Sequence, residues 1–156
     1  MQLTVAAVGQ RMPLWVQTAW QEYAKRFPRG LSLELKQIPL AKRAKNADVD
    51  VLRQSEGAAL LDAVPRGHRI IALDERGKQW STPELAQRLE NWMREEHGAC
   101  FLIGGPDGLP AECRERAQDV WALGRLTLPH PLVRAILAEQ LYRAWTITQN
   151  HPYHRS

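Results

Sequence analysis

The sequence predicts an α/β fold: a mostly parallel sheet with helices on both faces. Short apolar runs of strand length alternate from end to end with longer stretches that carry apolar residues at three- and four-residue spacing. Some of the short runs are continuously apolar, as strands covered on both faces are, and strand–helix alternation is the pattern of a parallel sheet. No internal repeat, low-complexity tract or linker interrupts the 156 residues. Residues 1–156 are therefore expected to form a single domain, long enough to bury a core.

Leu3-Thr4-Val5-Ala6-Ala7-Val8 is a short buried strand ending at Gly9. From Pro13 a helix carries Val16, Ala19, Trp20, Tyr23, Ala24 and Phe27, and Pro28 and Gly30 stop it. Leu31, Leu33 and Leu35 alternate with polar residues, which gives a second strand running to about Ile38. Lys42-Arg43-Ala44-Lys45-Asn46-Ala47 is a basic loop. Asp48 caps the helix after it, whose apolar positions are Leu52, Ala59, Leu60 and Ala63 and which stops near Pro65. Arg69-Ile70-Ile71-Ala72-Leu73 is the third strand, followed by a polar loop, Asp74-Glu75-Arg76-Gly77-Lys78. Thr82-Pro83-Glu84 starts a helix with a capping hydroxyl, a proline whose missing N–H costs nothing there, and an acid near the positive end of the dipole. Its apolar stripe is Leu85, Leu89, Trp92 and Met93. Residues 99–103 form the fourth strand, and a helix near 111–119 leads to a fifth around 120–123. The last helix begins near Pro131 and carries Val133, Ile136, Leu137, Leu141 and Trp145.

Charged residues make up 24% and hydrophobic ones 44%, which suits a soluble globular protein. Lys and Arg exceed Asp and Glu by 21 to 17, a net charge of +4 that tilts toward a polyanionic partner and serves solubility equally well. The two cysteines, Cys100 and Cys113, form no CxxC or Cys/His pattern, so no metal is expected, and free thiols suit a reducing compartment. The first residues lack a basic segment followed by a long apolar one, and no apolar run reaches membrane-spanning length. A soluble, cytoplasmic protein that does not engage membranes is the expectation.

The chemistry-bearing candidates lie mainly in the last third. Gly104-Gly105-Pro106-Asp107-Gly108 follows a strand, where glycines let a ligand approach exposed backbone groups; a tight turn needing positive φ explains the same residues. It matches neither GxGxxG nor a phosphate loop, which disfavours a dinucleotide or triphosphate site. Residues 123–131 hold two prolines and, apart from Arg125, almost no charge. That backbone needs partners if buried, and an adenine ring among apolar side chains would supply them; a proline-stiffened connection filling the core is the alternative. Glu139 and Arg143 are one helical turn apart and suit an ion pair, while Arg134 and Arg143 could instead face phosphates. The final residues concentrate His151, Tyr153, His154 and Arg155, side chains able to stack on a base, accept a proton and pair with an anion, where a frayed terminus would need none of them. Lys42, Arg43 and Lys45, with Arg11, Lys25, Arg26 and Arg29, offer an RNA-facing rim or simply a solvated surface.

Three segments taken together closely resemble the RlmH family of the SPOUT class, which methylates N3 of a pseudouridine in large-subunit ribosomal RNA. They are Leu102-Ile103-Gly104-Gly105-Pro106-Asp107-Gly108, Leu126-Thr127-Leu128-Pro129-His130-Pro131-Leu132-Val133-Arg134 and Asn150-His151-Pro152-Tyr153-His154-Arg155. The likeness runs end to end, through Val8-Gly9 and the basic loop to Asp48. It implies an α/β fold with a C-terminal trefoil knot, a homodimer, and S-adenosylmethionine held at Leu73, at Gly105 and along Gly124, Arg125, Leu126, Thr127, Leu128 and Pro129. Gly124-Arg125 departs from the small or hydroxyl residues expected there. The resemblance also implies Tyr153, His154 and Arg155 as the catalytic residues that hold the nucleobase, with 23S RNA in the assembled ribosome as substrate and no metal. Two other functions fit the residues alone: a non-catalytic ribosome-binding factor, and a methyltransferase acting on a small molecule.

Overall fold

The computed structural model describes residues 1–154. Its chain order is β1 (Gln2–Val8), α1 (Leu14–Ala24), β2 (Ser32–Ile38), α2 (Val49–Ala63), β3 (Arg69–Gln79), α3 (Thr82–Glu95), β4 (Ala99–Ile103), α4 (Ala111–Arg116), β5 (Asp119–Ala122) and α5 (His130–Thr148). A 3-10 turn over Pro152–His154 follows. The strands lie in the order β2-β1-β4-β3-β5 and every pairing is parallel, as expected from the alternation of elements.

Two apolar layers sandwich the sheet. Leu3, Val5 and Ala7 of β1 face Trp20 of α1, Leu85, Leu89 and Trp92 of α3, and Leu137, Leu141 and Ala144 of α5. Ala6 and Val8, the alternate residues of the same strand, face Leu60 of α2 and Cys113 of α4. The period of two along a strand thus sends successive side chains into opposite layers. Leu137 and Leu141 are core, while Val133 and Trp145, spaced with them in sequence, are only half-buried.

Three expectations are adjusted by the structure. The polar stretch after Leu73 is not simply a loop, because β3 continues to Gln79. Leu73 and Lys78 both pair with Trp121, so residues 74–77 leave the ladder as a pouch and the strand then resumes. Gly77 is required there, since a Cβ would lie 2.4 Å from the Val120 carbonyl oxygen. The α3 cap is Ser81 rather than Thr82: Ser81 Oγ accepts from the Glu84 N–H at 3.2 Å and Glu84 Oε2 accepts from the Ser81 N–H at 2.8 Å, a reciprocal capping box. Helix α4 ends at Arg116, earlier than expected, because Gln118 turns to edge pairing, its side chain accepting from the Ile70 N–H at 2.6 Å.

Replacing Ser81 with Ala leaves the Glu84 N–H in the first turn of α3 without its side-chain acceptor and is expected to lower stability by about 1 kcal/mol, read by chemical denaturation.

Candidate active site

All five strands point their carboxyl ends to one edge of the sheet, and a cleft of about 590 Å³ opens there beyond β3, β4 and β5. Its walls come from three stretches far apart in sequence. Leu73 and the pouch residues Asp74, Glu75 and Arg76 form one side; the glycine loop 104–108 forms the second; Leu123, Gly124, Leu126, Thr127, Leu128 and Pro129 form the third. Leu73, Gly105, Gly124, Leu126, Thr127, Leu128 and Pro129 therefore all line this one cleft. Arg125 is exposed and is not among the lining residues. Leu126 is 78% exposed, an apolar side chain held on the cleft wall with little of this chain against it.

The glycine loop is a close-packed turn. Gly108 N–H donates to the Gly105 carbonyl at 3.0 Å, and Gly108 adopts φ +78. A Cβ on Gly104 would lie 2.6 Å from the Gly108 carbonyl carbon, so the loop closes on itself only with glycine there.

Buried charge fixes this loop from behind. Glu56 on α2 is 3% exposed and accepts from the Ala41 N–H at 3.0 Å and from Arg43 Nη1 at 3.2 Å. Arg43 Nη2 reaches Asp107 Oδ2 of the loop at 2.5 Å, and Arg53 Nη1 donates to the Asp107 carbonyl at 3.4 Å. The basic loop is thus not only a solvated rim: Arg43 ties it to the glycine loop through a charge-assisted pair. On the far wall Thr127 Oγ1 donates to Glu75 Oε2 at 3.4 Å, which joins two of the three stretches directly.

Arg134 does not face a phosphate. It is 1% exposed and donates to the carbonyls of Val8 at 3.2 Å and Gly9 at 2.7 Å and to Gln37 Oε1 at 2.8 Å. Burial lowers its pKa. It satisfies the carboxyl end of β1, where Gly9 sits at φ +114 with Arg134 Nη2 only 3.4 Å from where a Cβ would be. Arg143 is likewise taken up, its Nε donating to Glu139 Oε1 at 2.7 Å, the ion pair expected from the spacing. His130 lines the cleft at the start of α5. Burial, then the Arg134 charge, lowers its pKa. The thiols offer no nucleophile: burial pushes Cys100 up to about 12 and Cys113 up to about 11.

Tyr153 and His154 are placed elsewhere. Helix α5 starts at the cleft and its 19 residues carry the chain about 28 Å away. The chain then turns back along α5, so that Tyr153 donates to Glu139 Oε1 at mid-helix at 3.3 Å and packs edge-on to Tyr142 at 4.8 Å, with the Arg143 guanidinium 5.0 Å from its ring. Burial above all pushes the Tyr153 hydroxyl up to about 12, so it remains a proton donor. The end of the chain is thus docked rather than frayed as far as His154. Arg155 lies outside the described residues. Among the described residues no group of three His, Cys, Asp or Glu side chains is placed to hold a metal ion, and no helix is long and apolar enough to cross a membrane.

Glu56, Asp107 and the pouch acids Asp74 and Glu75 were not singled out from the sequence as site residues. For Glu56 a signal existed: it falls four residues from both Leu52 and Leu60, a carboxylate on the apolar face of α2.

A parallel sheet with a glycine-walled cleft at its carboxyl edge defines an α/β protein built to hold a small ligand there. The chain belongs to the SPOUT methyltransferase family: the model described as "Predicted SPOUT methyltransferase" matches residues 1–154. It is 52% identical over 155 residues to the ribosomal RNA large subunit methyltransferase H of Thioalkalivibrio sulfidiphilus (strain HL-EbGR7), covering 99% of each chain. It is 50% identical over 155 residues to the protein of the same name from Marinomonas sp. (strain MWYL1), covering 99% of this chain and 100% of that one. Among solved structures it is similar to a "probable methylase family protein" from Haemophilus influenzae Rd KW20, with a TM-score of 0.57 at 10% identity, covering 99% of this chain and 70% of that one. That last likeness concerns the fold.

Two outcomes are expected. Arg43→Ala frees Asp107, so amide exchange across residues 104–108 should accelerate at least about tenfold while β4 stays protected, read by hydrogen-exchange mass spectrometry. His130 and His68 both have pKa values lowered by burial. Below the unfolded value of about 6.5 the unfolded chain binds protons that these side chains refuse, so their stabilisation is present above that pH and is lost as pH falls through it. Thermal melts between pH 7.5 and 5.5 should show a shallower decline for His68→Asn than for the wild type.

Proposed function

We propose that this protein methylates N3 of a pseudouridine in 23S ribosomal RNA, on the assembled ribosome, with S-adenosylmethionine as methyl donor. The carrying observation is the convergence of residues 73–76, 104–108 and 123–129 on one cleft. Its weight comes from a chain half identical, over its whole length, to two proteins named ribosomal RNA large subunit methyltransferase H. The cleft's volume lies within the range of small-molecule sites. Its residues fit the donor: Leu126, Leu128 and Leu73 offer apolar contact to an adenine, the glycine loop offers backbone groups, and Asp74 and Glu75 offer acceptors for ribose hydroxyls or an ammonium. S-adenosylmethionine, when bound, supplies an electrophilic methyl on its sulfonium.

The protein's task is then largely positioning, since in-line displacement needs little else. The N3–H proton of the base must leave as the new N–CH3 bond forms. His154 is the acceptor we assign, Arg155 the cation that stabilises the developing negative charge, and Tyr153 a hydrogen-bond donor to the base. Tyr153 and His154 are not among the residues that line the cleft of their own chain. A homodimer with the two α5 helices antiparallel would bring the end of one chain over the cleft of the other, so we assign the tail to the partner's site. The remaining parts of the reading are a single domain over 1–156, a trefoil knot in its C-terminal part, a metal-free reaction and a cytoplasmic location.

Incubation of ribosomes with labelled S-adenosylmethionine, followed by mapping of the modified nucleotide, tests the reaction. Label in 23S RNA at one pseudouridine is expected; donor binding without transfer would leave a binding factor, and transfer without ribosomes would point to a small substrate. Arg155→Ala should keep donor affinity by calorimetry and lose at least about 100-fold in turnover. Leu126→Glu should lose donor binding. Mixed after joint refolding, these two variants should recover activity that neither has alone; recovery of none would place the tail in its own chain's site.

A further inference from the structure

Arg43 stands between two carboxylates that come from different parts of the chain. Its Nη1 donates to Glu56 Oε2 at 3.2 Å and its Nη2 to Asp107 Oδ2 at 2.5 Å. Glu56 belongs to α2 and Asp107 to the glycine loop, while Lys42 and Lys45, on either side of Arg43 in sequence, are exposed. We propose that Arg43 couples the two substrates: a donor held against the glycine loop tightens RNA binding at the basic loop, and RNA tightens donor binding by the same factor. The inference rests on the methyl-transfer function proposed above.

Charge is the first reason. One guanidinium facing two carboxylates is taken up by them and is not left over for a phosphate. Both acids raise its pKa, Asp107 first and Glu56 next. Lys42 and Lys45 are the cations of this loop that remain to meet a polyanion. Anchorage is the second reason. The Glu56 side chain is 2% exposed, on a helix packed against the sheet. Its Oε2 also accepts from the Ala41 N–H at 3.0 Å, and Arg43 Nη1 donates to the Ala41 carbonyl at 2.9 Å. A Cβ on Gly105 would lie 3.5 Å from Glu56 Oε1. One buried carboxylate thus stands at the root of the basic loop and at the back of the glycine loop.

An ion pair in open solvent carries little, but one whose acid is buried is costly to disturb. A shift of Asp107 is therefore felt by Arg43 and, through it, by the loop that carries the lysines. Position is the third reason. Asp107 lines the donor cleft, whereas Lys42, Arg43 and Lys45 do not. Ligands at the two loops would meet through the protein and not through each other. Each orders a loop whose freedom the other must also remove, so the second to bind meets a loop already set. Thermodynamic linkage makes the effect reciprocal.

Ribosome affinity measured with and without saturating S-adenosylhomocysteine, the donor less its methyl, tests the coupling. The wild type should bind ribosomes at least about fivefold tighter with the nucleoside present. That nucleoside alone should slow amide exchange across residues 41–47. Arg43→Lys keeps the charge but cannot fork to both carboxylates, and Asp107→Asn breaks the same link from the other loop. Both variants should still bind nucleoside and ribosomes, with the tightening and the slowed exchange abolished. Lys42→Ala combined with Lys45→Ala should leave nucleoside affinity unchanged and abolish the tightening too, while Lys25→Ala, outside both loops, should keep it. Equal ribosome affinity of the wild type with and without nucleoside would overturn the coupling. So would undiminished tightening in either link variant, or loss of nucleoside binding by both, which would make the network a scaffold of the donor site. A wild type that bound neither nucleoside nor ribosomes would instead sink the underlying function.

Discussion

Because the five strands run the same way, every loop that follows a strand leaves from one edge of the sheet. The order β2-β1-β4-β3-β5 then decides which loops become neighbours. β1 and β4 lie side by side at the centre, yet the chain leaves β1 toward β2 and leaves β4 toward β5, on opposite sides. The cleft itself opens beyond β4, β3 and β5, which are consecutive in that order. The glycine loop stands on β4, the pouch on β3 and the 123–129 segment on β5, so one topological fact puts three unrelated stretches of sequence around one space.

A crevice of this kind is made largely of backbone, and backbone groups left at strand ends must be satisfied. Two buried charged side chains do much of that work. Arg134 reaches from α5 to the end of β1, and Glu56 reaches from α2 to the Ala41 N–H beyond β2 and, through Arg43, to the glycine loop. Each stands under the edge rather than in the cleft. A buried charge is costly unless it is hydrogen-bonded, so the bonds that Arg134 Nη1 and Nη2 and the Glu56 carboxylate make hold this edge to one geometry.

The strands and helices were legible because burial has a period. β4 was read at its observed bounds, and the Asp48 cap of α2 was visible as an acid before a helical stripe, its carboxylate accepting from the Asp50 N–H at 2.9 Å. The glycine loop and the segment 123–131 are legible as backbone-rich candidates, but that they meet Leu73 is implied only by the resemblance, since no local pattern says that Leu73, Gly105 and Leu126 come together. Register is not a local property either: the pouch after Leu73 is polar like any loop, and only the partner strand reveals that pairing resumes at Lys78. The sequence leaves Arg134 open to a phosphate, yet it shares a helix face with Leu137, Ala138 and Leu141, where a cation has to find acceptors inside the protein. Composition alone invites the opposite conclusion, as arginine is usually solvated.

The grip of Arg134 on the first strand also bears on how the chain reaches its native state. The bonded groups are separated by 126 and 125 residues, and the central partner of β1 is β4, about 100 residues further along the chain. A ribosome-emerging N-terminal half can assemble β1 with α1 and β2, but one edge of β1 stays unpaired until β4 is made, and its terminal carbonyls stay uncapped until Arg134 follows. Non-local closure of this kind slows folding and leaves an apolar strand edge open in the meantime. Truncation within α5 would strip the cover that Leu137, Leu141 and Ala144 give one face of the sheet, so C-terminally shortened forms should meet chaperones and proteases as unfinished chains rather than persist as smaller domains.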